Sequence, residues 1–448
     1  MLSLSVSFGV PSRILNQFSF MSEKRKKIIT IVIFLGAVVF FVWLLYILFF
    51  KPKAPAVKPP EIEKPSEAIP RLPTTKEAWE KMTYEERARL GLPTETWPEK
   101  GAAPEKVVAP KVPEIDEKAS GGRTWINPVS DVKTKAAALS ADGQKSVYYD
   151  EADGHFYRID ENGNKELMTD QVFYNVDKIN WSPTKDKAVI EYPDGFKTIY
   201  DFSQKKQYVL PKNWEGFSWN LSGTQIAFKS TSKYPENSWL AVSGYDGTGA
   251  KPIEHMGENA DKVIVSYSPN YQTIAFSETG EPRGTWEQSI LLIGLHGENF
   301  KPLIVDGRGF ESEWSPKGDK ITYSVYSADN NYEPRLYLVN AQGEEIGSGK
   351  IDTGLNTWAH KCGFNKTGDI LYCAVPEDLP QGAGLMPELA DGVKDVFYKV
   401  DVATGQTFFL AEGAMGGYNV ENLYLSDDES LLYFTEKSTG LLRYIKLK

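Results

Sequence analysis

The ten residues from Trp314 to Tyr323 read WSPKGDKITY. An aromatic residue leads into Ser-Pro-Lys-Gly, and a β-branched, aromatic stretch leads out. Proline pre-sets one turn dihedral, glycine supplies the left-handed one, and serine can hydrogen-bond its own backbone. Ile-Thr-Tyr favours a strand. The segment therefore predicts a β-hairpin.

The phrase recurs as LSADGQKSVYY from Leu139, WSPTKDKAVIEY from Trp181 and WNLSGTQIAF from Trp219. It returns as YSPNYQTIAF from Tyr267, FNKTGDILY from Phe364 and YLSDDESLLY from Tyr424. With Trp314 that makes seven copies, with anchors 42, 38, 48, 47, 50 and 60 residues apart. A third strand usually follows each hairpin (HFYRIDENG, SWLAVSGYDG, RLYLVNAQG), then a weaker fourth (KELMTD, KPLIVD, TFFLAE). Four strands per unit of 40–50 residues is the pattern of a propeller blade. The expected fold is all-β, a seven-bladed β-propeller over residues 122–448. The last copy ends in LLRYIKLK with nothing left for a fourth strand, so Arg123–Val132 is expected to supply it and close the ring.

Trp181-Ser-Pro, Tyr267-Ser-Pro with Ile274-Ala-Phe, and Trp314-Ser-Pro-Lys-Gly resemble the WD-like repeats of TolB-type propellers. The resemblance covers residues 136–448, with degenerate copies at Phe364 and Tyr424. It implies the fold and says little about function, because propellers of this type include binding proteins and lyases alike. Lyases of the type use histidine-rich metal sites in the channel. The only histidines here, His155, His255, His296 and His360, fall in different blades, so no metal or other cofactor is expected.

Ahead of the repeats, Ile28–Phe50 is 23 residues without a charge, 18 of them Ile, Leu, Val or Phe. A membrane helix needs about 20 apolar residues, and each of these favours insertion by roughly 0.3–0.6 kcal/mol. No small-residue cleavage site follows, so the segment reads as an uncleaved signal anchor with one span. Lys24, Arg25, Lys26 and Lys27 precede it, against Lys51 and Lys53 beyond it. The positive-inside rule then places residues 1–27 in the cytoplasm and the propeller outside, in a periplasmic or extracellular cell-envelope setting. Met21-Ser-Glu-Lys also reads as a natural translation start, leaving the choice between Met1 and Met21 open. Residues 51–121 hold 12 of the 27 prolines and read as an extended Pro-rich stalk with a reach of at most roughly 200 Å. Within it Thr74–Leu92 is expected to form one or two short helices, with a cap near Thr83 and a stop at Gly91 and Pro93.

The 60 acidic against 50 basic residues give a net charge of −10, which speaks against a general nucleic-acid partner. No G-x-S-x-G elbow is present, Gly347-Ser-Gly-Lys350 lacks the following Ser/Thr of a phosphate loop, and Asp160-Glu-Asn-Gly-Asn164 has the Asx and Gly of an ordinary turn. Cys362 and Cys373 stand opposite each other about the Thr367-Gly368 turn, open to either a disulfide or two buried thiols.

The loops between second and third strands are short in blades one, two and seven and long in blades three to six: 230–239, 277–288, 324–335 and 374–395. They emerge on one face and carry Tyr234, Trp239, Arg283, Trp286, Tyr326, Tyr332, Arg335 and Met386. Tyr, Trp and Arg are the residue types of binding hot spots. The leading expectation is a single-pass membrane protein whose propeller binds a protein, glycan or other cell-envelope ligand on this loop face and performs no catalysis. The alternative is an envelope polysaccharide lyase or hydrolase using channel carboxylates.

Overall fold

The computed structural model describes residues 115–448 together with Glu77, residues 80–83 and Arg87. Ile28–Phe50 lies outside the described residues, among which no helix is long and apolar enough to cross a membrane. In the stalk island, Glu77, Glu80 and Arg87 are helical and residues 81–83 break the helix. The Arg87 N–H donates to the Thr83 carbonyl at 3.1 Å, one helical turn back.

Two short strands, β1 (Gly122–Thr124) and β2 (Ile126–Pro128), precede the blades. Blade one is β3 (Thr134–Leu139), β4 (Ser146–Asp150), β5 (His155–Ile159) and β6 (Lys165–Leu167). Blade two is β7 (Lys178–Trp181), β8 (Lys187–Glu191), β9 (Lys197–Asp201) and β10 (Lys206–Leu210). Blade three is β11 (Trp214–Trp219), β12 (Gln225–Ser230), β13 (Trp239–Gly244) and β14 (Lys251–His255). Blade four is β15 (Val263–Val265), β16 (Thr273–Ser277), β17 (Glu287–Gly294) and β18 (Leu303–Asp306). Blade five is β19 (Arg308–Trp314), β20 (Lys320–Tyr326), β21 (Pro334–Asn340) and β22 (Ile351–Asp352). Blade six is β23 (Cys362–Phe364), β24 (Ile370–Pro376), β25 (Asp395–Asp401) and β26 (Thr407–Gly413). Blade seven is β27 (Val420–Leu425), β28 (Leu431–Glu436) and β29 (Leu442–Lys446).

The ring closes where the sequence places the missing strand. Ile126–Pro128 pairs antiparallel with Arg443–Ile445 and completes the sheet β2-β29-β28-β27. A second tie was not foreseen: β1 adds to blade six as a fifth strand, parallel to Ala411–Gly413. Residues before 122 join the ring as well. The Ala119 N–H donates to the Lys446 carbonyl at 2.8 Å and that of Gly121 to the Leu410 carbonyl at 2.9 Å, so the ring starts earlier than residue 122.

The core lies between blades, with one apolar cluster at each of the seven junctions. The repeat aromatics join those clusters and tie successive blades through polar atoms. The Trp181 indole N–H donates to the Ala136 carbonyl at 2.8 Å, that of Trp219 to the Asn180 carbonyl at 3.2 Å, and that of Trp314 to Ser266 Oγ at 2.9 Å. Each acceptor belongs to the preceding blade. A tryptophan thus supplies both apolar area and a satisfied donor.

The turn serine or asparagine after each aromatic closes its hairpin. Ser268 Oγ accepts from the Thr273 N–H at 2.9 Å, and Asn220 Oδ1 from the Gln225 N–H at 3.1 Å. Gly318 has φ +70, and a Cβ there would stand 2.7 Å from the Asn270 nitrogen of the neighbouring turn. Both the conformation and the close approach call for glycine. Cys362 and Cys373 are register partners in blade six, and their sulfurs are bonded at 2.13 Å.

Candidate functional site

Three long loops form one continuous ledge. The loop between β16 and β17 sets Trp286 edge-on against Tyr332 of the loop between β20 and β21, ring centroids 5.5 Å apart. The loop between β24 and β25 then closes over that one: the Gly384 N–H donates to the Tyr332 carbonyl at 2.7 Å, and that of Gly382 to the Asn331 carbonyl at 3.0 Å. A Cβ on Gly384 would meet the Tyr326 Cβ at 2.5 Å, so only glycine allows this contact. The blade-six loop has a small core of its own, built from Trp358, Ala383 and Ala390 with Leu379 and Val393 against them. Turned outward on it are Leu385 (56% exposed), Met386 (51%) and Leu389 (41%).

The other expected residues divide. Tyr234 stands exposed before the single turn Pro235–Asn237, with the Lys233 ammonium 4.8 Å from its ring. Trp239 is the first residue of β13 and lies edge-on to His255 at 4.9 Å, beside a 160 Å³ cleft floored by Trp214 and Phe228. Arg283 is exposed at the tip of its loop. Tyr326 ends β20 beneath Gly384. Arg335 lies inside β21 rather than in a loop. Its guanidinium is taken up by both Asp352 oxygens (2.8 and 3.1 Å), the Gly354 carbonyl (2.8 Å) and Asn356 Oδ1 (3.1 Å). Arg335 therefore holds two strands together and is not free to meet a ligand. Leu385 and Leu389, which sequence reasoning missed, are exposed on the ledge beside Met386. Their sign was two leucines in a Pro/Gly-rich insertion that has little core to fill.

A second set of groups lies along the channel, which the first strand of each blade lines. Glu311 and Glu313 are alternate residues of β19 and so share one side of that strand. Glu311 Oε1 accepts from the His360 N–H at 2.6 Å and pairs with His360 Nδ1 at 2.8 Å. Glu313 has no such partner among the described residues. Solvent reaches it, yet protein crowds it enough that burial pushes its carboxyl up to about 7; neighbouring Glu311 pushes the same way and His360 opposes. The fold thus favours neutral Glu313, a contribution present below the ordinary value of 4.5 and lost as pH rises through about 7. The melting temperature of Glu313→Gln should therefore gain on the parent's as pH rises from about 5 to about 8. Melting curves that stay parallel over that range would contradict it. Acidic residues at alternate positions of a first strand, where apolar ones are expected, were the available signal.

Among the described residues no group of three or more His, Cys, Asp or Glu is placed to hold a metal ion. Asp160 accepts the backbone N–H groups of Asn162 and Asn164 at 2.9 Å each and so closes its own turn, as its Asx and Gly neighbours imply.

Comparison with known protein families and with curated proteins finds no match. Solved structures do match. An oligogalacturonate lyase in complex with manganese superposes at TM-score 0.51 and 13% identity, covering 72% of this chain and 89% of that one. The oligogalacturonate lyase of Vibrio parahaemolyticus gives 0.50 and 13%, covering 72% and 93%. TolB from Acinetobacter baumannii gives 0.40 and 12%, covering 59% and 62%. What the two lyases share with this chain is the fold. At such identities the likeness reaches the fold and no further.

Proposed function

We propose that the chain is a membrane-anchored, extracytoplasmic propeller whose loop face on blades three to six binds a protein or cell-envelope ligand. The observation that carries this reading is the ledge: three interlocked loops present Trp286, Leu385, Met386 and Leu389 on a rigid ring. Binding energy concentrates in apolar and aromatic anchors held in place beforehand. The anchor rests on Ile28–Phe50 with Lys24–Lys27 before it, and the stalk sets the distance from the membrane. The Cys362–Cys373 disulfide agrees with an oxidising compartment. Alanine at Trp286, Leu385, Met386 and Leu389 together is expected to lower ligand capture at least about tenfold. Val209→Ser, on the outer strand β10, serves as the control and leaves capture unchanged. Equal capture by the fourfold variant and the parent would refute the reading.

A second reading, a lyase or hydrolase of envelope polysaccharide, is favoured by one observation. Glu313 has a carboxyl raised to about 7 beside the Glu311–His360 pair, which sets a proton donor next to a potential base. In that case Glu313→Gln would abolish turnover while leaving ligand capture intact.

A further inference from the structure

On the same face, where the loops are short, the channel opens into a pocket of about 810 Å³ within blades one, two, three and seven. Clefts of about 300–1,000 Å³ are the usual size for small-ligand sites. Its walls carry Asp177, Glu191 and Glu215 against Lys178, Lys197 and Lys229, so the charges balance.

These charges face each other without pairing. Lys178, Glu191 and Lys197 are directly opposed across β7, β8 and β9, and Glu215 is opposed to Lys229 across β11 and β12. Opposite charges in such positions ordinarily pair. Here none of the three lysine nitrogens comes within 4.0 Å of a carboxylate oxygen of Asp177, Glu191 or Glu215. Lys197 Nζ donates instead to the carbonyls of Lys212 (2.9 Å) and Gly195 (3.3 Å), and Lys229 Nζ to that of Ala260 (2.9 Å). Glu215 accepts one bond, from Thr231 Oγ1 at 3.3 Å, and the Glu191 carboxylate accepts none among the described residues. Glu191 is half-buried, and burial raises its carboxyl above the usual range although Lys197 and Lys178 pull it down.

The backbone of the pocket is irregular in the same place. Strands β3, β11 and β27 each shift register through a bulge, and the left-handed residues there, Ala136 (φ 52), Gly216 (φ 63) and Asn422 (φ 53), all line the pocket. The same bulge recurs in β19 at Gly309 (φ 66), outside the pocket, so it is a feature of the ring's first strands that re-aims their side chains. An alanine at positive φ is uncommon and strained.

We propose that this pocket binds a neutral saccharide whose hydroxyls bridge the carboxylates and ammonium groups that the fold holds apart. A hydroxyl both donates and accepts, so it can link a carboxylate to an ammonium too distant to meet it directly. A wall of balanced charge offers no net attraction to an anion or a cation, and a wall this polar is unsuited to an apolar ligand. The proposal is independent of the loop-face reading, since no ledge residue lines the pocket.

The test titrates the full-length chain, in a sugar-free detergent, with neutral tetrasaccharides of glucose, mannose, xylose and N-acetylglucosamine. At least one should bind with Kd below about 1 mM. Its affinity should change less than about twofold between about 50 and 500 mM salt, as a neutral ligand requires. Glu191→Gln and Glu215→Gln should each weaken it at least about tenfold with an unchanged melting temperature. Lys178→Met, at the exposed rim, gives a further variant with the same expectation, and Val209→Ser should bind like the parent. Absence of binding by every tetrasaccharide, a steep salt dependence, or variants that fold and bind like the parent would each overturn it.

Discussion

Replacing Lys361 by methionine will destabilise the propeller by about 3–5 kcal/mol, the usual cost of leaving a buried charge without its partner. Lys361 is 6% exposed and Asp395 2% exposed. The ammonium donates to both Asp395 oxygens at 2.9 and 2.8 Å and to Asn419 Oδ1 at 3.3 Å, and Asp395 also accepts the Val420 N–H at 2.6 Å. Burial pushes the Asp395 carboxyl up and the Lys361 ammonium down, each opposed by the other's charge. The pair is costly to bury and costlier to break. It also joins the entry of blade six to the end of its long loop and the start of blade seven, so the loss should loosen the ledge. Urea unfolding measures the effect. Changing both residues, Lys361→Met with Asp395→Leu, should recover part of the loss but not all, because the Val420 N–H then lacks its acceptor. A single Lys361→Met change costing under about 1 kcal/mol would mean that the pair is not buried as described.

Removing the cross-link by Cys362→Ala with Cys373→Ala will cost about 2–3 kcal/mol. The bond closes a 12-residue loop in the unfolded chain, and the entropy of closing a loop of that length gives this magnitude. Both sulfurs are buried, and Cys373 is fully enclosed in the junction cluster of blades five and six, so alanine also forfeits packing. The bond ties the middle of β24, whose far end leads into the ledge loop, to Cys362, which directly follows Lys361. A reductant should therefore lower the urea midpoint of the parent and leave that of the double variant unmoved. An identical midpoint with and without reductant would contradict the cross-link's contribution.

The fold was legible because each repeat carries its own instructions. In WSPKGDKITY the serine of the hairpin and the glycine of the left-handed turn position are used as read, and the leading aromatic packs at the blade junction. Closure through residues 126–128 followed from counting strands. The parallel tie of β1 did not, since Gly-Arg-Thr is three residues long and parallel pairing leaves no mark in alternation. The ledge was legible as loop length, but the state of its side chains was not. Arg335 resembled a hot-spot arginine until its partners Asp352 and Asn356, about 20 residues onward, were seen around it. The pocket was illegible for a similar reason: Lys178, Glu191 and Glu215 look like solvated strand ends, and only their register reveals charges opposed and left apart.

The claim that the blade three-to-six loop face is the binding surface is tested most directly by a photoreactive amino acid at position 386 of the full-length chain, irradiated in its native cell. The account predicts a discrete adduct from position 386, none from position 209, and loss of the adduct when Trp286→Ala and Leu389→Ala are combined with the probe. Adducts of the same kind from both positions, or an adduct at 386 that survives those two changes, would contradict it.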